Sequence, residues 1–366
     1  MTWKEIDWSV LERLRERFLS GEPAPGPYWT SREDLANYDG TYGERIGWKW
    51  DAVLRELDLR GWKPPCAATF KGEHGCASTE GARLDVLDWG CGSGVAGRRV
   101  VRWFGANRVT TLRVWDHSAL AADFAADAAR ARLPQLNVQQ VTPGFLASDE
   151  PIGVLVISHV LNELPAEVLR ELRGLASRAD AILWVEPGTS EVSRALIEIR
   201  EQLRGRFRLV APCTHQAACG LLAPANASHW CHHFASPPPE IFTDRDWVKF
   251  GQRAGIDLRS LPYSFLALER RSKSPGLAGD TNLARVIGEP RVYKGYAKVL
   301  SCDTGGVREL TLQKRDAPSL FKQLKRSAGT LIYRWTREDD RIVAGTLLAE
   351  EPEIRVKRRS SLDCAP

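Results

Sequence analysis

The chain has 366 residues, 43% of them hydrophobic and 27% charged, with a formal net charge of +5. That length suits two or three domains around real cores, and the composition is that of a globular protein rather than a disordered or fibrous one. No run of about 18 apolar residues occurs, so no membrane-spanning helix and no membrane partner are expected.

The first residues, Met1-Thr-Trp-Lys-Glu-Ile-Asp-Trp8, are mixed in charge and lack an apolar stretch. Neither a secretory signal nor an acid-poor transit peptide is expected from them. Eight cysteines in so long a chain do not read as a secreted disulfide framework, which points to a reducing cytoplasm.

Residues 1–78 read as a helical N-terminal region. Thr30-x-x-Glu33 resembles a capping box. Ile46, Trp50, Val53, Leu54 and Leu57 fall at helical spacing between Gly43 and Leu57. From Pro64 to Gly81 the residues are small or Pro/Gly, as in a loop. Then the period changes. Strands are predicted at Leu84 to Asp88, Thr111 to Asp116, Leu136 to Val141, Ile152 to Ser158 and Ala181 to Glu186. Helices are predicted at Val95 to Phe104, Ala119 to Leu133, Ala166 to Ser177 and Ser190 to Leu203. This alternation predicts an α/β fold with a doubly wound parallel sheet over residues 79–271, carrying a cysteine-rich insertion at 211–234. Asp244 to Ala254 reads as a late helix and Tyr263 to Glu269 as a late strand. Ser272 to Asp280 is a linker by composition. Residues 281–350 form a small β-rich C-terminal module, with strands at Tyr296 to Leu300, Val307 to Leu312 and Thr330 to Trp335.

The first predicted strand runs into Leu87-Asp-Trp-Gly-Cys-Gly-Ser-Gly94 and then a helix. A Gly-rich turn at a helix N-terminus lets the backbone approach a ligand closely. The spacing is Asp-x-Gly-x-Gly-x-Gly rather than the dinucleotide Gly-x-Gly-x-x-Gly. It resembles motif I of the class I S-adenosylmethionine (SAM) methyltransferases. That resemblance implies that Asp88, Gly90, Gly92 and Gly94 hold the methionine part of the cofactor and that Asp116, ending the second strand, holds the ribose. The fourth strand ends in Ile157-Ser-His-Val-Leu-Asn-Glu-Leu164. It has neither an Asn-Pro-Pro-Tyr motif nor a Pro-Cys nucleophile. His159 reads as a structural residue at a strand end, with a general base as the alternative. No catalytic residue is assigned.

Cys213, Cys219, Cys231 and Cys302 form the second constellation. They lack the paired Cys-x2-Cys knuckles of a zinc ribbon and the Cys-x3-Cys-x2-Cys of radical SAM enzymes. Three thiolates from a loop and one from a distant strand suit a [4Fe–4S] cluster. Zinc is the alternative, since His215, His229, His232 and His233 could complete a Cys/His site, and unliganded cysteines are the third reading. Cys66, Cys76 and Cys364 fit no such spacing.

Charge is uneven. Between Arg291 and Arg359 there are 16 Lys/Arg against 9 Asp/Glu, a surplus of +7. A basic region suits a polyanion such as RNA, and the other reading is a solvated surface. Lys294, Lys298, Lys314, Arg315, Lys322, Lys325 and Arg326 are the possible phosphate contacts.

Four stretches together carry a resemblance to one family. They are the turn at 87–94, Val185-Glu-Pro-Gly-Thr189, the segment from Cys213 to Phe234, and Gly295-Tyr-Ala-Lys-Val-Leu-Ser-Cys302 with Lys314 downstream. The chain resembles the methyltransferase-like assembly factors of the mitochondrial ribosomal small subunit and their bacterial relatives. The resemblance implies a class I methyltransferase-type fold, a [4Fe–4S] cluster on Cys213, Cys219, Cys231 and Cys302, and a role at the ribosomal small subunit and its rRNA, in assembly or translation. DNA is not expected as a partner. Here Cys213-Thr-His-Gln216 replaces the family's Cys-Pro-His-Asp, Cys219-Gly220 replaces Cys-Pro, and Trp230-Cys-His-His-Phe234 gains a histidine. The alternatives are an active SAM-dependent rRNA methyltransferase and a small-molecule methyltransferase with a zinc site.

Overall fold

The computed structural model describes residues 3–20, 28–65, 84–273, 283–326 and 329–348. The loop expected from Pro64 to Gly81 and the linker from Ser272 to Asp280 lie mostly outside these residues.

Three helices come first: α1 (Trp8–Ser20), α2 (Arg32–Asp39) and α3 (Tyr42–Leu59). The cap of α2 sits one residue later than the Thr30 box implies. Ser31 Oγ accepts from the Asp34 amide at 3.1 Å, and Asp34 Oδ2 accepts from the Thr30 amide at 2.9 Å. The arrangement is a variant of a capping box: Asp34 rather than Glu33 supplies the carboxylate, and it reaches back to the residue before the cap.

The central sheet alternates with helices: β1 (Leu84–Trp89), α4 (Val95–Phe104), β2 (Val109–Trp115), α5 (Ala119–Arg132), β3 (Asn137–Gln140), α6 (Pro143–Ala147), β4 (Ile152–Ser158), α7 (Ala166–Arg178), β5 (Ala179–Pro187), α8 (Ser190–Leu203) and β6 (Phe207–Ala211). Then come β7 (His233–Phe234), α9 (Glu240–Thr243), α10 (Arg245–Ala254) and β8 (Pro262–Arg270). The strand order is β3-β2-β1-β4-β5-β8-β6. β1 to β5 are parallel, and β8 runs antiparallel between β5 and β6. The sheet is therefore mixed at one edge rather than wholly parallel. This is a class I methyltransferase-type sheet, with its order reversing between β1 and β4, where open α/β sheets bind ligands.

Composition explains the layers. β4 reads Ile-Gly-Val-Leu-Val-Ile and is buried on both faces, as a central parallel strand must be. α5 lays Ala121, Ala122, Ala125, Ala126 and Ala129 against its neighbours, so it packs closely. α3 spans 18 residues and buries Trp48, Trp50, Val53, Leu54 and Leu57.

The C-terminal module is a closed five-stranded barrel. It contains β9 (Leu283–Val292), β10 (Tyr296–Asp303), β11 (Gly306–Gln313), α11 (Pro318–Arg326), β12 (Ile332–Glu338) and β13 (Arg341–Leu347). Val286, Ala297, Val299, Leu310, Leu312, Tyr333 and Ile342 fill its core. Among the described residues no helix is long and apolar enough to cross a membrane.

Candidate functional site

The Gly-rich turn begins where β1 ends. Gly90, Gly92 and Gly94 have φ of +67°, +52° and +78°, in the left-handed region open to glycine. Added methyls at Gly90 and Gly94 would also lie 2.8 Å from Val160 Cγ1 and Ala125 Cβ, so packing alone accounts for these two. Gly92 differs. Its nearest neighbour is Trp29 Cζ2 at 3.9 Å, which leaves the turn's middle approachable.

Asp88 lies beneath the turn, fully buried. Its Oδ2 accepts from the Gly97 amide at 2.9 Å, while Oδ1 has no hydrogen-bond partner. Burial raises its carboxyl to about 7. Asp116 bridges the two strand ends: Oδ2 accepts from the Gly92 amide at 2.9 Å and Oδ1 from the Ser118 amide at 2.9 Å. The sequence-selected Asp88, Gly90, Gly92, Gly94 and Asp116 are thus brought together at the carboxyl ends of β1 and β2. Trp115 stacks on Trp89 beside them, at 4.9 Å between ring centroids.

A second group lies at the end of β4. His159 has φ of +56°, unusual for a side-chain-bearing residue and costly unless its surroundings enforce it. Its Nε2 lies 3.2 Å from Lys49 Nζ, and its Nδ1 lies 3.3 Å from Ser158 Oγ. Trp50 Nε1 donates to the same Ser158 hydroxyl at 2.9 Å. Burial, then the Arg45 cation, lowers Lys49 to about 7. Burial, then Lys49, holds the His159 imidazole well below its ordinary range. Glu186, of the Glu-Pro-Gly-Thr stretch, is raised to about 7 by burial, although Trp184 Nε1 and the amides of Val160 and Leu161 donate to it. Lys49 and Glu186 therefore stand near neutrality at this carboxyl end of the sheet, while His159 beside Lys49 is held in its neutral form. Lys49 was missed in the sequence. Its only signal was a lysine between two tryptophans on the apolar face of α3.

The four cysteines come from four separate places. Cys213 follows β6, Cys219 caps a 3-10 turn, Cys231 precedes β7, and Cys302 lies on β10 of the barrel. Cys219, Cys231 and Cys302 pack around Ile197, Leu221 and Ile287. All four thiols are free. Burial raises the Cys219, Cys231 and Cys302 thiols, and the neighbouring cysteines raise each of them further. Bare thiols so placed resist ionising together. A bound cation would remove that conflict, because it stabilises thiolates directly.

Nitrogens already face three of the sulfurs. Arg200 Nε donates to Cys213 Sγ at 3.2 Å. His233 Nε2 lies 3.6 Å from Cys231 Sγ, and His215 Nε2 lies 3.5 Å from Cys302 Sγ. His215 and His233 therefore sit against sulfurs, and His232 stacks on Trp230. Among the described residues, no group of three or more His, Cys, Asp or Glu is arranged to hold a single metal ion. In a four-iron cluster each thiolate binds its own iron, so the sulfurs of such a site stand farther apart than those around a single ion.

Half-buried arginines hold the cysteine loop. Arg60 donates to the carbonyls of Val210, Pro212 and Cys213 at 3.1, 2.8 and 3.1 Å. Arg194 Nη2 donates to those of Asn226, Ala227 and His229. Trp230 Nε1 donates to Gly188 O at 3.0 Å, joining the Trp-Cys-His and Glu-Pro-Gly-Thr stretches. These arginines gave no sequence signal, because their partners are carbonyls of distant residues.

A family model described as mitochondrial small ribosomal subunit Rsm22 matches residues 82–330. The chain belongs to that family. Among solved structures, it is similar to magnesium protoporphyrin IX methyltransferase from Synechocystis PCC 6803 with bound SAM, at 12% identity and a TM-score of 0.36, over 72% of this chain and 90% of that one. It is also similar to an rRNA methylase from Streptococcus thermophilus, at 12% identity and a TM-score of 0.30, over 51% of this chain and 87% of that one. The M. capricolum TrmK structure with S-adenosyl-homocysteine matches at 10% identity and a TM-score of 0.31, over 53% and 66%. No curated protein sequence matches.

Proposed function

We propose that this Rsm22-family chain is a ribosome-associated factor that binds small-subunit rRNA, carries SAM at the Gly-rich turn, and holds a [4Fe–4S] cluster between its methyltransferase-type core and its barrel. It acts in small-subunit assembly or translation. The observation that carries the reading is the meeting of Cys219 and Cys231 of the core with Cys302 of the barrel around one apolar cluster, with Cys213 close enough to raise all three thiols and nitrogens of Arg200, His233 and His215 facing the sulfurs. The family's description supports the partner. Thiolate ligands suit a reducing compartment such as the cytoplasm. The domain division at 1–78, 79–271 and 281–350 belongs to the same proposal.

The donor set fits a cluster. Four thiolates satisfy it, and hydrogen bonds to sulfur together with apolar walls are what tune such sites. Full-length protein prepared without oxygen from iron-replete cells is expected to be brown, with about four irons per chain. Stoichiometric zinc without iron would overturn the cluster and favour the zinc alternative.

At the turn, the unpartnered Oδ1 of Asp88 and the open approach to Gly92 support a bound cofactor. Asp116→Asn is expected to weaken SAM binding by roughly 1–3 kcal/mol, the range for a lost charge-assisted hydrogen bond. Calorimetry on folded, iron-loaded protein reads this. Absence of heat with both SAM and its demethylated product would remove the cofactor claim.

The Lys49–His159–Ser158 chain favours a second reading, an active rRNA methyltransferase. SAM would supply an electrophilic methyl group, and the Lys49–His159 pair would take the proton shed by the acceptor atom as it is methylated. Methyl incorporation into rRNA, lost in Lys49→Met and His159→Phe with melting unchanged, would establish it.

A further inference from the structure

The five C-terminal strands have a specific order. β9, β10 and β11 form an antiparallel meander, and α11 follows them. β13 then pairs with β11 in parallel and with β12 antiparallel, and β12 closes the barrel on β9. A five-stranded barrel with this order, and a helix between its third and fourth strands, has the topology of an OB-fold. That fold binds oligonucleotides across its second and third strands. In this chain those strands are β10 and β11.

The outer face of β10 has two halves. Ala297, Val299, Ser301 and Asp303 are buried, and Tyr296, Lys298, Leu300 and Cys302 alternate with them. Leu300 and Cys302 pack against the core at the cysteine site. Tyr296 and Lys298 lie beyond that contact, opposite Gln313 and Thr311 of β11. Tyr293 is 45% exposed and stacks on Tyr296, with centroids 4.6 Å apart and planes at 18°. The Tyr293 amide donates to Tyr296 O, and the Lys314 amide donates to Gly295 O, so the hairpin tip is held against the end of β11. A cleft of about 510 Å³ opens there, lined by Gly295, Gln313, Lys314, Arg315 and Pro318. Charge favours an anion. Glu309 faces both Arg291 and Lys298, and Asp316 faces both Arg315 and Arg341, so each acid here is outnumbered.

We infer that this face binds single-stranded RNA, with a base stacked on the Tyr293–Tyr296 pair and the backbone running past Lys314 and Arg315. A flat exposed ring beside cations suits an unpaired base and a phosphate chain. A duplex keeps its base faces covered. The inference rests on the proposed rRNA partner and adds the strand state and the surface that reads it.

The test uses full-length, iron-loaded protein, a labelled single-stranded RNA of about twelve nucleotides, the same sequence annealed to its complement, and purified small subunits. Tyr293→Ala with Tyr296→Ala is expected to weaken single-strand binding roughly tenfold or more, with the salt dependence kept. Lys314→Glu with Arg315→Glu is expected to flatten the salt dependence. Tyr293→Phe with Tyr296→Phe should retain affinity, and coincident melting curves would show that all variants fold. The inference is overturned if the double alanine variant binds the single strand like wild type, or if the duplex binds as tightly. It is also overturned if that variant loses small subunits while keeping naked RNA, which would make the face a protein-docking surface. Subunit and rRNA binding that survives the double alanine change removes this face but leaves the ribosomal reading standing. No affinity for rRNA or subunits in any form removes both.

Discussion

Glu56→Gln is expected to destabilise the folded chain by about 3–5 kcal/mol, the range for breaking a buried ion pair from one side. Glu56 has 0% side-chain exposure. It pairs with Arg60 at 2.8 Å and with Arg285, whose side chains are 11% and 3% exposed. Glutamine keeps the shape but leaves two guanidinium groups without their counter-charge. The effect should also spread, because Arg60 grips the Cys213 loop while Arg285 belongs to β9 of the barrel. One carboxylate on α3 thus joins the helical region, the cysteine loop and the barrel. Urea unfolding of the iron-loaded protein measures the loss. A change below about 1 kcal/mol would mean that water reaches the arginines and compensates. Adding Arg285→Met should recover part of the loss, since removing both charges is less costly than removing one.

The same carboxylate gives a direction with pH. Burial alone would raise it, but Arg285 and Arg60 hold it below its ordinary value. A carboxyl depressed in the folded state contributes stability that is full above its unfolded pKa, near 4.3, and lost as pH falls through the folded one. Melting temperature should therefore fall on acidification below about pH 4, and more shallowly in Glu56→Gln.

Much of the core was legible because its signals are local. β4 and α8 begin and end where apolar runs and periodicity place them, since a strand buried on both faces and an amphipathic helix each write their period into neighbouring residues. The turn was legible because left-handed backbone restricts positions 90, 92 and 94 to glycine. β8 was seen as a strand, but its antiparallel insertion between β5 and β6 was not, since pairing partners leave no mark on a single strand. The barrel was read only as a β-rich module. β9 was hidden by its Gly288-Glu-Pro290 interruption, and β13 by short, weakly alternating burial. The four cysteines were singled out by residue type and then by family resemblance, because a loop and a distant strand share no local period. Contacts such as Arg200 on Cys213, Glu56 between two arginines, and Lys49 on His159 join segments whose spacing carries no period.

Cys302→Ser, prepared without oxygen, is expected to contain well under four irons per chain and to melt more than about 5 °C below wild type. Cys302 is the proposed ligand from the barrel, facing Cys219 and Cys231 across Ile197, Leu221 and Ile287. Serine keeps nearly the same volume, so packing alone should change little. What it removes is a thiolate whose bond to iron exists only in the folded chain, and such binding energy is folding energy. Cys219→Ser should lose iron similarly, although its residue lies in the core rather than the barrel. If the cluster joins the two parts, amide exchange in β10 and β11 should rise in both variants, and wild-type protein stripped of iron should match them. Full iron in Cys302→Ser would remove Cys302 from the ligand set. Stripped protein that melts and exchanges like the iron-loaded form would show that the Glu56–Arg285 pair and the apolar contact hold the barrel unaided, leaving the cluster a role other than joining it to the core.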